Sequence, residues 1–288
     1  MLRFSRPKGP GYGISAGYYV SVLATHARLP ALLEVINPKG EGGAVLGYGI
    51  PMAASATKES LAQPLVRGAY GLLSKDRKTA FQMLVLNREE SGFDPETVAR
   101  HSQALGLENE VTARIRATWS VIQLRITAHD PDVYPSLDFI LGLSARLALL
   151  TEGVVADPLS ERYLLPHQLF SIPRANPAVD AREHVLVHSR GSAAGVHTYT
   201  RGMQKFALHE LEMQGLEPGS ELAAERLMYS IAQRVLEGKL VSPGASIGKF
   251  QLMEGGHDRA LWEGTPCLEL VPAKGVTVAQ ALAESRVN

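Results

Sequence analysis

The chain has 288 residues with 45% apolar and 20% charged content and 27 Gly, which excludes a disordered, collagen-like or coiled-coil protein and leaves room for two cores. Its 29 basic and 29 acidic side chains cancel to a net +0, so no global field steers it onto nucleic acid. A single cysteine, Cys267, excludes an internal disulfide and a thiolate zinc cage, and no apolar run reaches the roughly 20 residues that span a bilayer.

Charge is unevenly placed: residues 1–117 carry 14 basic and 10 acidic side chains, residues 118–288 carry 15 and 19. Arg3, Arg6, Lys8 and Arg28 precede the first acid, Glu34, as in a transit peptide. The apolar stretch Gly17 to Thr25 is too short and too interrupted for a secretory signal, so an ordinary basic start and a cytoplasmic protein are expected.

Residues 1–13 are rich in Gly and Pro and read as an extended arm. Tyr18 to Leu23 has the β-branched and aromatic content of a strand. Gly40 to Gly43 reads as a turn, Ala44 to Ile50 as a Gly-weakened strand, and Phe81 to Leu86 as a stronger one. Asp94, Pro95 and Glu96 open a helix that Gly106 closes, and Glu108 to Ala117 forms a second with Val111, Ile115 and Trp119 on one side. The domain boundary is expected just after it, giving an N-terminal α+β domain over 1–117 and a C-terminal one over 118–288.

Val121 to Ile126 is a strand, and Leu137, Ile140, Leu141, Ser144, Leu147 and Ala148 recur at helical spacing in a helix apolar enough to be covered on two sides. With Val154 to Ala156 they form a strand–helix–strand unit. Ser171 to Asp180 reads as a hinge. His184 to His188 and Gly195 to Thr200 read as strands, Ser220 as the cap of a helix ending at Gly238, and Phe250 to Met253 and Cys267 to Val271 as closing strands. Strands and helices that do not strictly alternate predict an α+β fold with ferredoxin-like units and mainly antiparallel sheets.

Few segments carry chemistry. Gly244-Ala245-Ser246-Ile247-Gly248 fits the G-x-S-x-G elbow and makes Ser246 the candidate nucleophile, but a helix precedes it and a strand follows, the reverse of what an elbow needs. As a phosphate loop it is one residue short and has Phe250 where a hydroxyl is required. His184, His188, His197 and His209 cluster in sequence. On one strand the first two lie ~13 Å apart, too far for one ion. If Leu208 to Met213 were helical, His209 and Glu212 would share a face, yet no matching ligand set exists, so no metal and no cofactor are expected. Lys75-Asp76-Arg77-Lys78 and the basic arm are the only footing for nucleic acid.

Residues 197–212, His-Thr-Tyr-Thr-Arg-Gly-Met-Gln-Lys-Phe-Ala-Leu-His-Glu-Leu-Glu, resemble a signature of bacterial domains of unknown function, roughly H-T-x-G-[LM]-x-[KR]-F-G-x-x-[DE]-[LI]-E. The resemblance covers about residues 119–255 and includes a D-G-x-T-I-G-like turn at Ser242 to Gly248; Tyr199 and Ala207 depart from it, Ala207 standing where a glycine is usual. It implies an α+β fold and a bacterial source, and no reaction. The block itself reads as a strand, a tight turn at Gly202, and Met203 and Phe206 in the core. His197, Arg201, Lys205, His209 and Glu212 are its candidate binding residues, with Arg201, Lys205, Glu210 and Glu212 expected in surface ion pairs or along a groove. The expectation is a non-catalytic module with a protein partner and no membrane. The alternatives are a hydrolase using Ser246, a metal enzyme using His197 and His209, and nucleic-acid binding through the N-terminal half.

Overall fold

A computed structural model describes residues 9–36, 50–51, 57–74, 76–104, 106–170, 179–192 and 195–285. The chain divides into two compact units, one of residues 16–177 and one of residues 1–15 with 178–288. Both are α+β, and among the described residues no helix is long and apolar enough to cross a membrane.

The unit of residues 16–177 contains β1 (Tyr19–Ala24), α1 (Leu32–Ile36), β2 (Ile50–Pro51), α2 (Lys58–Leu61), β3 (Gly68–Leu73), β4 (Ala80–Asn87), α3 (Pro95–Ala104), α4 (Asn109–Arg116), β5 (Ser120–Ala128), α5 (Tyr134–Leu150), β6 (Val154–Asp157), β7 (Arg162–Leu164) and α6 (Pro166–Phe170). Its strands form a seven-stranded sheet in the order β2-β3-β4-β5-β1-β6-β7, every pairing antiparallel. Because β1 pairs antiparallel with both β5 and β6, those two strands run parallel to each other with β1 inserted between them. The unit β5–α5–β6 is therefore split by the first strand.

The boundary expected after residue 117 is corrected by the same ladders. β5 is hydrogen-bonded along its length to β4 on one side and β1 on the other. A division there would strip both neighbours of their backbone partners. The units part between Pro177 and Ala178 instead. The expected hinge falls largely on 171–178, outside the described residues, as do 1–8 of the arm, the turn at Gly40 to Gly43 and strand residues 44–49.

α5 packs against β1, β5 and β6 and also against α1 and α6, which is why its apolar stripe is so wide. Val22, Ile122 and Val155 are fully buried on the sheet face it covers. On the opposite face Leu23, Val121 and Val154 pack with Ala99, Val111 and Ile115 of α3 and α4. α3 starts as its residues dictate, Asp94 accepting from the Glu96 N–H at 3.1 Å, and Gly106 takes a φ of +72° just beyond its end. Trp119 does not join Val111 and Ile115: it lies past the end of α4 and is 61% exposed.

The second unit contains α7 (Ala181–His184), β8 (Leu186–Ser192), β9 (Gly195–Arg201), a 3₁₀ turn (Met203–Phe206), β10 (Glu210–Leu216), α8 (Glu221–Leu236), β11 (Ser246–Ile247), β12 (Phe250–Glu254), α9 (Arg259–Trp262), β13 (Cys267–Pro272) and α10 (Val278–Glu284). The sheet order is β11-β12-β13-β10-β9-β8, with β10–β13 parallel and the other pairs antiparallel. α8 ends in a Schellman motif, the Lys239 N–H reaching the Arg234 carbonyl at 2.9 Å and Gly238 the Val235 carbonyl at 2.9 Å. At its start the expected role of Ser220 is corrected, since the hydroxyl makes no capping bond and only the backbone carbonyl accepts. The strand expected from His184 to His188 is a helical turn up to His184, because Asp180 caps it through the Arg182 N–H, and the strand begins only at Leu186.

Gly202, at φ +119°, and Ala207, at φ 53°, bracket the 3₁₀ turn in left-handed backbone, and Met203 and Phe206 between them are buried. Ala207 thus occupies a conformation that favours glycine, and its own side chain is exposed. Ala207→Gly is expected to raise stability by about 0.5–1 kcal/mol in urea unfolding; a loss instead would contradict the left-handed assignment.

Candidate functional site

His197, Tyr199 and Arg201 alternate along β9 and so project from one face of the second sheet. Register adds neighbours to that face: His188 and Arg190 of β8 stand opposite Tyr199 and His197, Glu212 of β10 opposite Tyr199, and Glu269 of β13 opposite Glu212. Thr198 and Met213 point the other way and are fully buried on the side where α8 contacts β9 and β10. A sheet face this rich in charge is normally solvated. Here the segment after β12 folds over it.

Glu212 is the centre of the arrangement and is fully buried. Its Oε2 lies 2.9 Å from His197 Nε2 and accepts the Trp262 Nε1–H at 3.0 Å, while Oε1 accepts the Gly256 N–H at 2.6 Å. Burial acts to raise its carboxyl, but the hydrogen bonds from His197, Gly256 and Trp262 outweigh it and hold the group below the usual carboxylate range. The backbone must come very close for this. A Cβ on Gly255 would stand 2.6 Å from Glu212 Oε1 and 2.9 Å from the Glu269 nitrogen, so only glycine fits.

Rings and guanidinium groups close the face. Tyr199 is flanked by His197 at 5.2 Å, His188 at 5.5 Å and Trp262 at 5.7 Å between centroids. The Arg201 guanidinium sits 4.9 Å from the Trp262 ring and donates to the Leu261 carbonyl at 2.8 Å. Arg190 pairs with Asp258, which also caps α9 by accepting from Ala260 and Leu261; that ion pair and those bonds hold the Asp258 carboxyl low.

A second buried carboxylate works locally. Glu210 accepts from Gly202 N–H at 2.9 Å, Gln204 N–H at 3.1 Å and the Thr200 hydroxyl at 2.7 Å, tying the 3₁₀ turn to β9 and β10. Burial dominates these bonds and pushes its carboxyl up. Glu269 is also raised, first by burial and then by the Glu212 charge, and burial pushes the Cys267 thiol far up.

The structure therefore brings His197 and Glu212 together and adds Arg201 through the rings. It corrects the rest of the expected surface. Lys205, Glu210 and Glu212 are all buried, so they form neither surface ion pairs nor the wall of a groove. His209 is exposed one position before β10, and because that segment is a strand, His209 and Glu212 face opposite sides. His184 packs edge-on against Phe206 at 5.6 Å, apart from the others. Among the described residues no group of three or more His, Cys, Asp and Glu side chains could hold a metal ion.

Ser246 is exposed in the two-residue strand β11, hairpinned to Gln251 of β12. The strained strand-to-helix turn that activates an elbow serine is missing there, because β12 follows the turn. Of the basic run, Lys78 pairs with Asp130 at 3.3 Å, and Lys75 lies outside the described residues. Comparison with protein-family models, curated proteins and solved structures finds no match to this chain.

Sequence reasoning passed over a recess in the unit of residues 16–177. About 380 Å³ in volume, it is lined by Tyr19, Phe93, Asp94, Gln123, Ala156 and Tyr163 among others. One cross-strand row runs Gln123–Ser21–Ala156–Tyr163, with Tyr19 two residues along β1 on the same face. α3 and α4 cover the Leu23–Val121–Val154 end of this face, and Phe93, Ala156 and Tyr163 pack against that cluster from the recess side. The alternation of Tyr19 and Ser21 with Val20 and Val22 was the signal available in the sequence: a strand with one polar face.

Removing the Glu212 carboxylate leaves the buried His197 and Trp262 donors and the half-buried Gly256 N–H unmatched. Glu212→Ala is expected to cost about 3 kcal/mol or more, and Glu212→Gln, which keeps an acceptor, about 1–2 kcal/mol. With a depressed carboxyl, Glu212 contributes stability above the usual carboxylate range and loses it as pH falls through its own lowered value. The gap between wild type and Glu212→Gln in chemical denaturation should therefore be widest at neutral pH and shrink on acidification; a constant gap would show that the charge does not matter.

Proposed function

We propose that this chain is a non-catalytic binding protein whose recognition surface is the recess on the sheet of residues 16–177. The observation that carries the reading is a contrast in how polar and aromatic groups are used. In the second unit Glu210 and Glu212 each hold three internal donors, and a carboxylate so saturated is a poor general base. In the first unit Tyr19, Phe93 and Tyr163 line open space, Phe93 and Tyr163 while also packing against the Leu23–Val121–Val154 cluster. Tyr19 is 36% exposed, and Phe93, Gln123, Ala156 and Tyr163 are half-buried.

This keeps the binding role expected from the sequence and moves the surface away from residues 197–212. That block serves instead to hold the second unit together. Concave surface, mixed aromatic and polar walls and a rigid floor of paired strands are the usual attributes of a ligand site.

Ala156 provides the test, because its small side chain forms part of the floor. Ala156→Leu should fill the recess at a cost of about 1–3 kcal/mol, which leaves a folded protein to screen. In a thermal-shift screen of small polar and aromatic compounds, hits are expected to raise the wild-type midpoint and to leave the variant unmoved. Hits that stabilise both proteins equally would remove the recess as the binding surface. Ester turnover abolished by Ser246→Ala would overturn the non-catalytic reading outright.

A further inference from the structure

We propose that the recess is an aromatic cage for a small free molecule bearing a trimethylammonium group. The proposal rests on reading the recess as the binding surface and names the ligand class that its walls suit.

The lining is selective by what it lacks as well as by what it has. Three aromatic rings, Tyr19, Phe93 and Tyr163, line about 380 Å³, and among the described residues the only charged side chain lining the same space is the carboxylate of Asp94. Among the described residues no lysine or arginine lines it, and Arg125, which stands opposite Tyr19, donates to the Ala16 carbonyl at 2.8 Å, so a phosphate or carboxylate would find no counter-charge on the wall, and a nucleotide would stack without a partner for its backbone. A cation finds the reverse.

A primary ammonium needs hydrogen-bond acceptors in place of water. A quaternary ammonium has no N–H to satisfy and a diffuse charge on a nearly apolar surface. It gains instead from the negative faces of aromatic rings, about 0.5–2 kcal/mol at each, and from the charge of a carboxylate nearby. Asp94 already meets its local demands by accepting from the Glu96 N–H and the Thr97 hydroxyl, so it can add charge without needing a directional contact.

Strand register holds the cage in shape. Tyr163 is fixed beside Ala156, Ala156 beside Ser21, and Ser21 beside Gln123, while Tyr19 projects from the next position on the same face. Ala156 leaves the depth that a larger residue would occupy. Burial, the Glu161 carboxylate and the nearby Tyr19 hold the Tyr163 phenol above its ordinary value, so that ring stays uncharged. Ser21 and Gln123 on the floor offer a hydroxyl and an amide to a polar tail. Choline has this combination of parts.

The test titrates the full chain with choline and with 3,3-dimethylbutan-1-ol, its neutral isostere, by calorimetry and by NMR of the recess residues. Choline is expected to bind at least about tenfold more tightly than the isostere. Tyr163→Ala and Asp94→Asn should each weaken choline at least about fivefold, whereas Tyr163→Phe, which keeps the ring, should hold affinity within about twofold. Asparagine retains the helix cap, so the Asp94 variant separates charge from folding. Equal binding of choline and isostere, or no choline binding, overturns the ligand class; the recess itself falls only if screening hits also ignore Ala156→Leu. Choline binding that none of these variants alters overturns the placement at the recess. Sedimentation with phosphatidylcholine vesicles that free choline does not compete away overturns the assignment to a free molecule.

Discussion

A buried carboxylate needs its charge answered before anything around it can pack, and Glu212 sets that requirement for the whole second sheet. Taking an ionised group out of water costs several kcal/mol unless donors replace the solvent. Three do so, and they come from β9, from the turn after β12 and from α9. Segments far apart in the chain are thus tied to one point. The glycine at 255 is needed because the backbone approaches the carboxylate itself, and Trp262 is needed because its indole is both a donor and a lid. The stacking around Tyr199 and the Arg190–Asp258 pair follow, since they line the margin of a face that the clamp has already drawn out of water.

The first sheet handles its polar face differently. Ser21 and Gln123 are neutral and make modest demands, so the face can remain partly open once α3 and α4 have covered its apolar end. What is left is a rigid, half-covered surface with rings at its margin. The two sheets thus show opposite outcomes of the same strand periodicity: charge enclosed for stability in one, aromatic surface left half-covered in the other.

Local chemistry made much of the secondary structure legible. The cap at Asp94, the left-handed stops at Gly106 and Gly238, the wide stripe of α5 and the turn at Gly202 are all set within a few residues, and each is found where its residues indicate. Where competing local signals existed, the sequence left the choice open. Leu208 to Met213 suits a helix or a strand, and pairing with β9 and β13 decided for the strand. β3, with Gly68 and Gly71, and the three-residue β7 have too little intrinsic preference to be seen without their partners. The division of the chain was misplaced because a change of charge and a pair of helices mark nothing about which strands share a sheet.

The amino-acid sequence by itself determined the class of fold, the ends of the better-marked helices and the shape of the turn around Met203, because those depend on backbone preferences and periodic burial acting over a few residues. Only tertiary structure decided that β1 inserts between β5 and β6, that Glu212 is enclosed by His197, Gly256 and Trp262, and that Tyr19, Phe93 and Tyr163 face one recess. Such contacts join residues far apart along the chain, and no spacing or composition encodes a distance that folding alone creates.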